Sequence, residues 1–170
     1  MGTLNRKKLM TDVRDNIVAW AKWAAANHSK FNYTEGPLRM SGIGKPGVLP
    51  VNADCSAFVT LCYNWAGAAD PNGMGYNHTG YTGTLLAHGQ KIALKDVQPG
   101  DVIVYGPGTG WHTALVVGVD GSKNPLTISH GQAGDPSYCH VSQDGRLPQT
   151  YLRFNTAAIN DKSIHTPPKA

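Results

Sequence analysis

Cys55 is the residue of this sequence best placed to act as a nucleophile. It stands in the first turn of a helix predicted over residues 54–66, which Gly67 is expected to end. The first turn of a helix presents unpaired backbone N–H groups and the positive end of the helix dipole, and both favour a thiolate over a thiol. We therefore expect Cys55 to attack a carbonyl carbon, with the N–H groups at the helix start holding the oxyanion.

The two other cysteines lie in apolar stretches of the sequence. Cys62 falls two turns further along the apolar stripe of the same helix, and Cys139 lies in a predicted apolar strand. An odd number of cysteines without a Cys-x-x-Cys pair is not the pattern of a disulfide framework. Both residues are predicted to pack as small hydrophobic side chains.

Two histidines are candidates for the base that a thiol nucleophile needs. His112 opens one predicted strand and His130 closes the next, so a hairpin turning at residues 120–125 brings both to one edge of a sheet. Simple pairing puts His112 opposite a residue near position 133, and a β-bulge would bring the two imidazoles into contact. The pattern predicts that the two histidines lie close together, without fixing a hydrogen bond between them.

A change of period along the chain sets the predicted fold class. Apolar residues recur at helical spacing from Leu9 to Ala26, with Thr11 or Asp12 available as the N-cap, and again over 54–66. The pattern then becomes extended, and the predicted strands cover residues 101–105, 112–119, 126–130, 138–141 and 150–154. Helices followed by strands with short connections indicate an α+β domain with a roughly five-stranded antiparallel meander.

The length of 170 residues suits a single core. We predict one catalytic domain over residues 1–155 and a polar, partly disordered tail or linker remnant over 156–170. The Gly- and Tyr-rich segment 67–83 is expected to form a loop at the rim of a cleft. No apolar run approaches the ~18–20 residues that cross a bilayer, and no apolar stretch follows the basic start, so neither a transmembrane helix nor a signal peptide is expected.

Charge and motif content exclude several classes of protein. Lys and Arg number 15 against 11 Asp and Glu, and this scattered net charge of +4 suits a polyanionic cell wall better than a nucleic-acid groove. Glu35 is the only glutamate, which leaves a glycosidase few candidate acids. A zinc site made of His112, His130 and Cys139 or His140 is the alternative to thiol chemistry, but no His-Glu-x-x-His motif supports it.

Three strings, in this order, carry a resemblance to a known enzyme family: DCSAFVTLCYNWAG, LKDVQPGDVIVYGPGTGWHTALVVG and TISHG. They resemble the NlpC-type cell-wall cysteine peptidases and the neighbouring CHAP amidases, both distant relatives of papain. The resemblance covers residues 30–135. Two features depart from the family pattern: Ala57 stands where a glycine is usual, and the segment 70–85 is unusually rich in glycine.

The resemblance implies a papain-like fold, N-terminal helices on an antiparallel sheet, and a Cys-His-His triad. Carried over, Cys55 is the nucleophile, His112 the general base and acid, and His130 the residue that orients His112. Tyr33, in the string FNYTEG, is implied to polarise the scissile carbonyl together with the backbone N–H groups of Cys55 and Ser56. No cofactor or metal ion is implied.

The implied activity is cleavage of an amide bond in the peptidoglycan stem peptide, from D-γ-Glu to the diamino acid. The alternatives are an N-acetylmuramoyl-L-alanine amidase, an antibacterial amidase effector, and a wall-binding or phage tail module without turnover. The strings SHGQAGDP and TYLRF resemble catalytic domains of lysins from phages of actinobacteria. An endolysin is implied to be a monomer that waits in the host cytoplasm for a holin, then acts on peptidoglycan without binding nucleic acid or inserting into a membrane.

Overall fold

The fold has helices packed against one face of an antiparallel sheet. A computed structural model describes residues 11–169. In chain order the elements are α1 (Arg14–Ala26), β1 (Phe31–Tyr33), β2 (Val51–Ala53), α2 (Cys55–Ala66), α3 (Thr82–His88), β3 (Gln90–Ile92), β4 (Val102–Tyr105), β5 (His112–Val119), β6 (Pro125–Ser129), β7 (Ser137–His140) and β8 (Gln149–Arg153). The predicted α+β class is confirmed. No helix within residues 11–169 is long and apolar enough to cross a membrane.

Helix α1 buries the apolar stripe that its spacing predicts. Ile17, Trp20 and Ala21 are buried against α2 and the sheet. The helix begins later than predicted, because Val13 is its N-cap residue and the Asp12 carboxylate accepts the N–H of Arg14 at 2.9 Å. The predicted helical residues 9 and 10 lie outside the described part of the chain.

Helix α2 has the predicted bounds and both of its ends are fixed by side chains or backbone geometry. Asp54 is the N-cap, and its carboxylate accepts the N–H of Ala57 at 2.9 Å. Gly67 ends the helix with a φ of 95°, and a Cβ there would come within 2.9 Å of the Ser163 carbonyl oxygen. The cap at Asp54 therefore places Cys55 in the first turn, as the sequence predicts.

The large sheet has six strands within the described residues, in the order β3-β8-β4-β5-β6-β7. The predicted meander holds from β4 to β7, but the placement of β8 beside β7 is wrong. Strand β8 pairs with β4, whose four residues are all buried, because β4 needs a neighbour on its second edge. Strand β7 is more exposed and suits the edge of the sheet.

Four elements were not predicted: β1, β2, α3 and β3. The predicted 67–83 loop stops at α3, whose Leu85 is fully buried, and β3 then adds the outermost strand beside β8. Before α3, the Asp70 carboxylate accepts the backbone N–H groups of Asn72, Met74 and Tyr76 at 2.9–3.2 Å. These bonds give the Gly-rich segment a fixed shape.

Much of the predicted tail is packed against the helices. Ala157 and Ala158 form isolated β-bridges to the segments before α1 and after α2. The His165 carbonyl oxygen accepts the indole N–H of Trp20 at 2.8 Å. The expected disorder is therefore wrong as far as His165, because the buried Trp20 indole takes its acceptor from this segment. Residue 170 lies outside the described residues.

Candidate functional site

The β5–β6 hairpin contains a bulge that decides what faces His112. Leu115 pairs with Ile128, and the register shifts by one residue between Val116 and Gly118. His112 consequently lies against Gly131, where an added Cβ would be 2.9 Å from the imidazole Cε1. A bulge is present and shifts the pairing by one residue, so that position 131 lies opposite His112, but it does not bring the two imidazoles into contact.

The two histidines lie on opposite faces of the sheet. His112 stacks on Tyr105 with ring centroids 6.0 Å apart, on the face away from the helices. His130 points towards the helices, edge-on to Phe31 and Phe58 with centroids 6.3 and 6.4 Å apart. Side chains alternate between the two faces along a strand. His130 is one residue away from the position opposite His112, so its side chain points to the other face of the sheet.

The hydrogen bonds of His130 follow from this orientation. Its Nε2 contacts the Asn32 carbonyl oxygen at 3.1 Å, and its buried Nδ1 has no hydrogen-bond partner among residues 11–169. Within the same residues no hydrogen bond joins His130 to His112. The structure therefore does not form the orienting contact implied for the triad, and His130 instead ties the end of β6 to β1.

Cys55 lies at the start of strand β5. The backbone N–H groups of Thr113, the residue after His112, and of Ser56 lie close enough to the sulfur to lower the pKa of its thiol. Burial raises the pKa of the Cys55 thiol above its ordinary value, and the negative charge of Asp54 adds to this, while the two N–H groups and the charge of Arg39 act in the opposite direction. Burial is the largest of these effects, so this environment favours the neutral thiol over the expected thiolate.

His112 is held in its neutral form. Burial lowers the pKa of the imidazole to about 4, and the nearby positive charge of Arg146 lowers it further, against the opposing charges of Asp144 and Asp135. A neutral imidazole at pH 7 has a free lone pair. His112 is therefore available as a proton acceptor.

Arg39 fixes the helix start that carries Cys55. Its guanidinium donates to both carboxylate oxygens of Asp54 at 2.7 and 2.9 Å and to the Ser56 hydroxyl at 2.6 Å. Asp54 in turn takes the N–H of Ala57, whereas the N–H of Ser56 faces the sulfur. The N–H groups predicted to hold the oxyanion are thus in the first turn, beside the thiol.

Tyr33 lies beside the same helix start. Its hydroxyl donates to Glu35 at 2.8 Å, and its ring stands edge-on to His130 with centroids 5.7 Å apart. Burial, then the Glu35 hydrogen bond, raise the pKa of Tyr33 to about 12, and the charges of Cys55 and Asp54 contribute in the same direction. The hydroxyl therefore stays protonated, and its single hydrogen is donated to Glu35 in this structure.

A cavity of about 260 Å³ opens beside His112, on the face of the sheet away from the helices. Its walls are mainly polar and include Asp135, Asp144 and Arg146. The Arg146 guanidinium lies 5.4 Å from the centroid of the Tyr105 ring, on which His112 also stacks. The wall of this cavity thus contains both the candidate base, His112, and the positive charge of Arg146.

The architecture matches solved structures of one fold family. RipD of Mycobacterium tuberculosis, described as a non-catalytic NlpC/p60 domain protein adapted to peptidoglycan binding, is 22% identical with a TM-score of 0.50, over 84% of this chain and 98% of RipD. The peptidoglycan hydrolase RipB of the same organism is 22% identical with a TM-score of 0.52, over 90% of this chain and 72% of RipB. This chain has an NlpC/p60 fold.

Other comparisons define the extent of this likeness. A mutated form of the resuscitation-promoting-factor-interacting protein RipA matches with a TM-score of 0.54 and 19% identity, over 86% of this chain and 66% of RipA. No protein-family model and no curated protein matches the sequence. The NlpC-type resemblance seen in the sequence is confirmed as a fold, and the resemblance to phage lysins stays a prediction.

The remaining cysteines have different environments in this NlpC/p60 fold. Cys62 is buried, as predicted. Cys139 is only half-buried and lines the cavity beside His112, so its predicted burial in a strand core is wrong. The reason is that β7 is an edge strand with polar neighbours.

Sequence reasoning missed Arg146 and Asp144 and left Arg39 without a location. Arg146 and Asp144 lie between β7 and β8, far from Cys55 in the chain, and no local motif marks them. Across residues 11–169, no three His, Cys, Asp or Glu side chains converge in an arrangement suited to a metal ion. The histidines of the alternative zinc site, His112 and His130, are on opposite faces of the sheet.

Proposed function

We propose that this chain is a cysteine hydrolase that cuts an amide bond in the stem peptide of peptidoglycan, from D-γ-Glu to the diamino acid. The observation that carries the proposal is that the backbone N–H of Thr113 lies close enough to the Cys55 sulfur to lower the pKa of the thiol. Thr113 directly follows His112, whose buried imidazole has its pKa lowered to about 4 and is therefore neutral at pH 7. A thiol nucleophile and a base near the same end of strand β5 are the minimum for acyl transfer.

The neutral resting pair defines the first chemical step. The Cys55 thiol passes its proton to His112 as the sulfur attacks the carbonyl carbon, and the carbonyl oxygen becomes an oxyanion. The N–H groups of Cys55 and Ser56 stabilise that charge, and the Tyr33 hydroxyl joins them only if it turns away from Glu35. His112 then returns the proton to the departing amine, leaving a thioester.

The second step reverses these roles. His112 takes a proton from water as its oxygen attacks the thioester, and the Cys55 sulfur leaves with that proton while the carboxylic acid product departs. In this scheme His130 acts on β1 and Tyr33, which it contacts, rather than on His112. It is a positioning residue.

The substrate class is supported by the described roles of proteins with this fold. RipB is described as a peptidoglycan hydrolase and RipD as a protein adapted to peptidoglycan binding. The scattered net charge of +4 suits the same anionic polymer. We propose a phage endolysin, reaching the wall from the host cytoplasm after holin release, as the setting, on the resemblance of SHGQAGDP and TYLRF to phage lysins.

A wall-binding module without turnover is the second candidate. Two observations favour it: the pKa of the Cys55 thiol is raised, and no hydrogen bond joins His112 to His130 within residues 11–169. RipD is described as such a non-catalytic protein. A binding module would sediment with walls and release no soluble fragments.

Mass spectrometry of fragments released from purified walls tests both candidates and the bond. The proposed cut exposes new amino groups on the diamino acid and leaves L-Ala-D-Glu attached to muramic acid. Intact stem peptides freed from the sugar chain would instead identify an N-acetylmuramoyl-L-alanine amidase. Sedimentation with walls and no released fragment would identify a binding module.

A further inference from the structure

Arg146 lies in the wall of the cavity beside His112, where a paired hydrogen bond to Asp144 orients its guanidinium and leaves one of its nitrogens without a partner among residues 11–169. Asp144 accepts from Nε at 3.0 Å and from Nη2 at 2.6 Å, and the guanidinium lies over Tyr105. No partner for Nη1 is present among residues 11–169. A planar group fixed on two sides loses little conformational freedom when it receives a ligand.

The Arg146–Asp144 pair does little for folding. The two residues are only two positions apart in one loop, and the Arg146 side chain is 42% exposed. Exposed ion pairs of this kind contribute little to stability. The placement of Arg146 beside His112, in the wall of the same cavity, therefore needs another explanation.

We propose that Arg146 binds a free carboxylate of the substrate, next to the amide bond that is cut, and so selects acidic over amidated stem peptides. This inference rests on the proposed function and names the substrate feature that the site recognises. Glutamate joined through its γ-carboxyl group keeps its α-carboxylate free beside the scissile bond. Guanidinium groups bind carboxylates with paired N–H donors.

The position of Arg146 relative to the reacting groups supports this assignment. The charge of Arg146 lowers the pKa of His112, and the charge of Cys55 is among the causes that raise the pKa of Arg146, so Arg146 lies within electrostatic range of both reacting groups. The cavity of about 260 Å³ has room for a carboxylate-bearing side chain, because a water molecule occupies about 30 Å³.

The acidic residues of the cavity have partners of their own. Asp135 accepts the N–H of Gly131 at 2.9 Å and the hydroxyl of Ser137 at 2.7 Å. Asp144 is paired with Arg146. Arg146 is thus the cationic group of this cavity with N–H donors left for a carboxylate. The negative charge of Asp135 is not neutralised by these partners, so binding of an amine in place of a carboxylate is the opposing outcome.

Calorimetry on the full chain carrying Cys55→Ala tests the inference without turnover. The two ligands are the peptide L-Ala-γ-D-Glu-L-Lys and its analogue with the D-Glu α-carboxylate converted to a carboxamide. We expect the carboxylate peptide to bind about tenfold more tightly than the carboxamide peptide. Adding Arg146→Gln should remove that preference, whereas Arg146→Lys should keep part of it.

Lys22→Gln is the matched control, because Lys22 is an exposed cation on α1. It should leave the preference unchanged, and circular dichroism should show that every variant is folded. The inference is overturned if Arg146→Gln keeps the preference, if the carboxamide binds as tightly as or more tightly than the carboxylate, or if neither peptide binds. Binding that depends on Arg146 in a chain whose wild type cuts no wall would overturn the hydrolase proposal alone.

Discussion

At the scale of single residues, the surroundings of Cys55 and His112 favour the neutral form of each side chain. Burial raises the pKa of the thiol and lowers the pKa of the imidazole to about 4. The proton must therefore move during the attack, and the site relies on general base catalysis rather than on a stored thiolate. This makes the protonation of His112 the event that limits activity in acid.

We predict an acid limb of kcat/KM near pH 4. His112 must be neutral to accept the thiol proton, so activity is lost as pH falls through its pKa of about 4. Arg146→Gln should move the limb to higher pH, because a positive charge that lowers this pKa is removed. Asp144→Asn should move it to lower pH. The account is contradicted if the limb lies near 6.5 and neither variant shifts it.

The chemical residue types of the site could be predicted, but their mutual orientation could not. A cysteine at a helix start and histidines at two strand ends follow from local patterns in the sequence. Which face His130 occupies depends on a one-residue register shift at Val116 and Gly118, and pattern analysis does not locate such shifts. Arg146 lies at the site because of the path that the chain takes between β7 and β8, and no local pattern in the sequence indicates that path.

At the scale of elements, Asp101 connects the helices to the sheet. This buried carboxylate accepts from Arg14 at 3.0 Å, from Arg153 at 3.0 and 2.8 Å, and from the N–H of Gln98 at 2.7 Å. It thereby joins α1, the turn before β4, and β8. The same cluster helps hold β8 beside β4, where the sheet order departs from a simple meander.

Asp101→Asn should lower the free energy of unfolding by about 3–5 kcal/mol, because two arginines lose the buried charge that they share. Urea denaturation measures the change. Asp161→Asn is the matched control, since Asp161 is exposed on the 3₁₀ turn Asp161–Ser163, and its effect should stay within about 0.5 kcal/mol. Equal urea midpoints for the two variants would show that the Asp101 cluster does not stabilise the fold.

The elements themselves differ in how far local sequence predicts them. Helix α2 and strands β4 to β7 are predicted because their apolar periods and caps are local. Helix α3 is short and lies in a Gly-rich segment, so its local signal is weak. The pairing of β8 with β4 depends on burial of both strands, which is a long-range property.

At the scale of the whole molecule, the buried His112 links stability to pH. In the folded state the pKa of the His112 imidazole is about 4, below its ordinary value of 6.5. Between pH 4 and pH 6.5 the unfolded chain therefore binds more protons than the folded chain. Stability is therefore lost as pH falls through that window, by up to about 3 kcal/mol from His112. The same group contributes no pH dependence above 6.5.

Thermal melting at pH 7 and pH 4.5 checks this linkage. The melting temperature of the wild type should fall more between these values than that of His112→Asn, which has no titrating imidazole at this position. The comparison is a difference between two proteins, so carboxylates common to both cancel. An equal fall in both proteins would mean that the pKa of His112 is not lowered by folding.

The clearing of purified cell walls by Cys55→Ala, measured as turbidity over time, tests the central claim most directly. The account predicts that this variant clears walls no faster than buffer, whereas the wild type clears them. Cys62→Ala, which removes a buried thiol from the same helix, should melt at a lower temperature but retain clearing below that temperature. Clearing by Cys55→Ala at a rate close to that of the wild type would contradict the account.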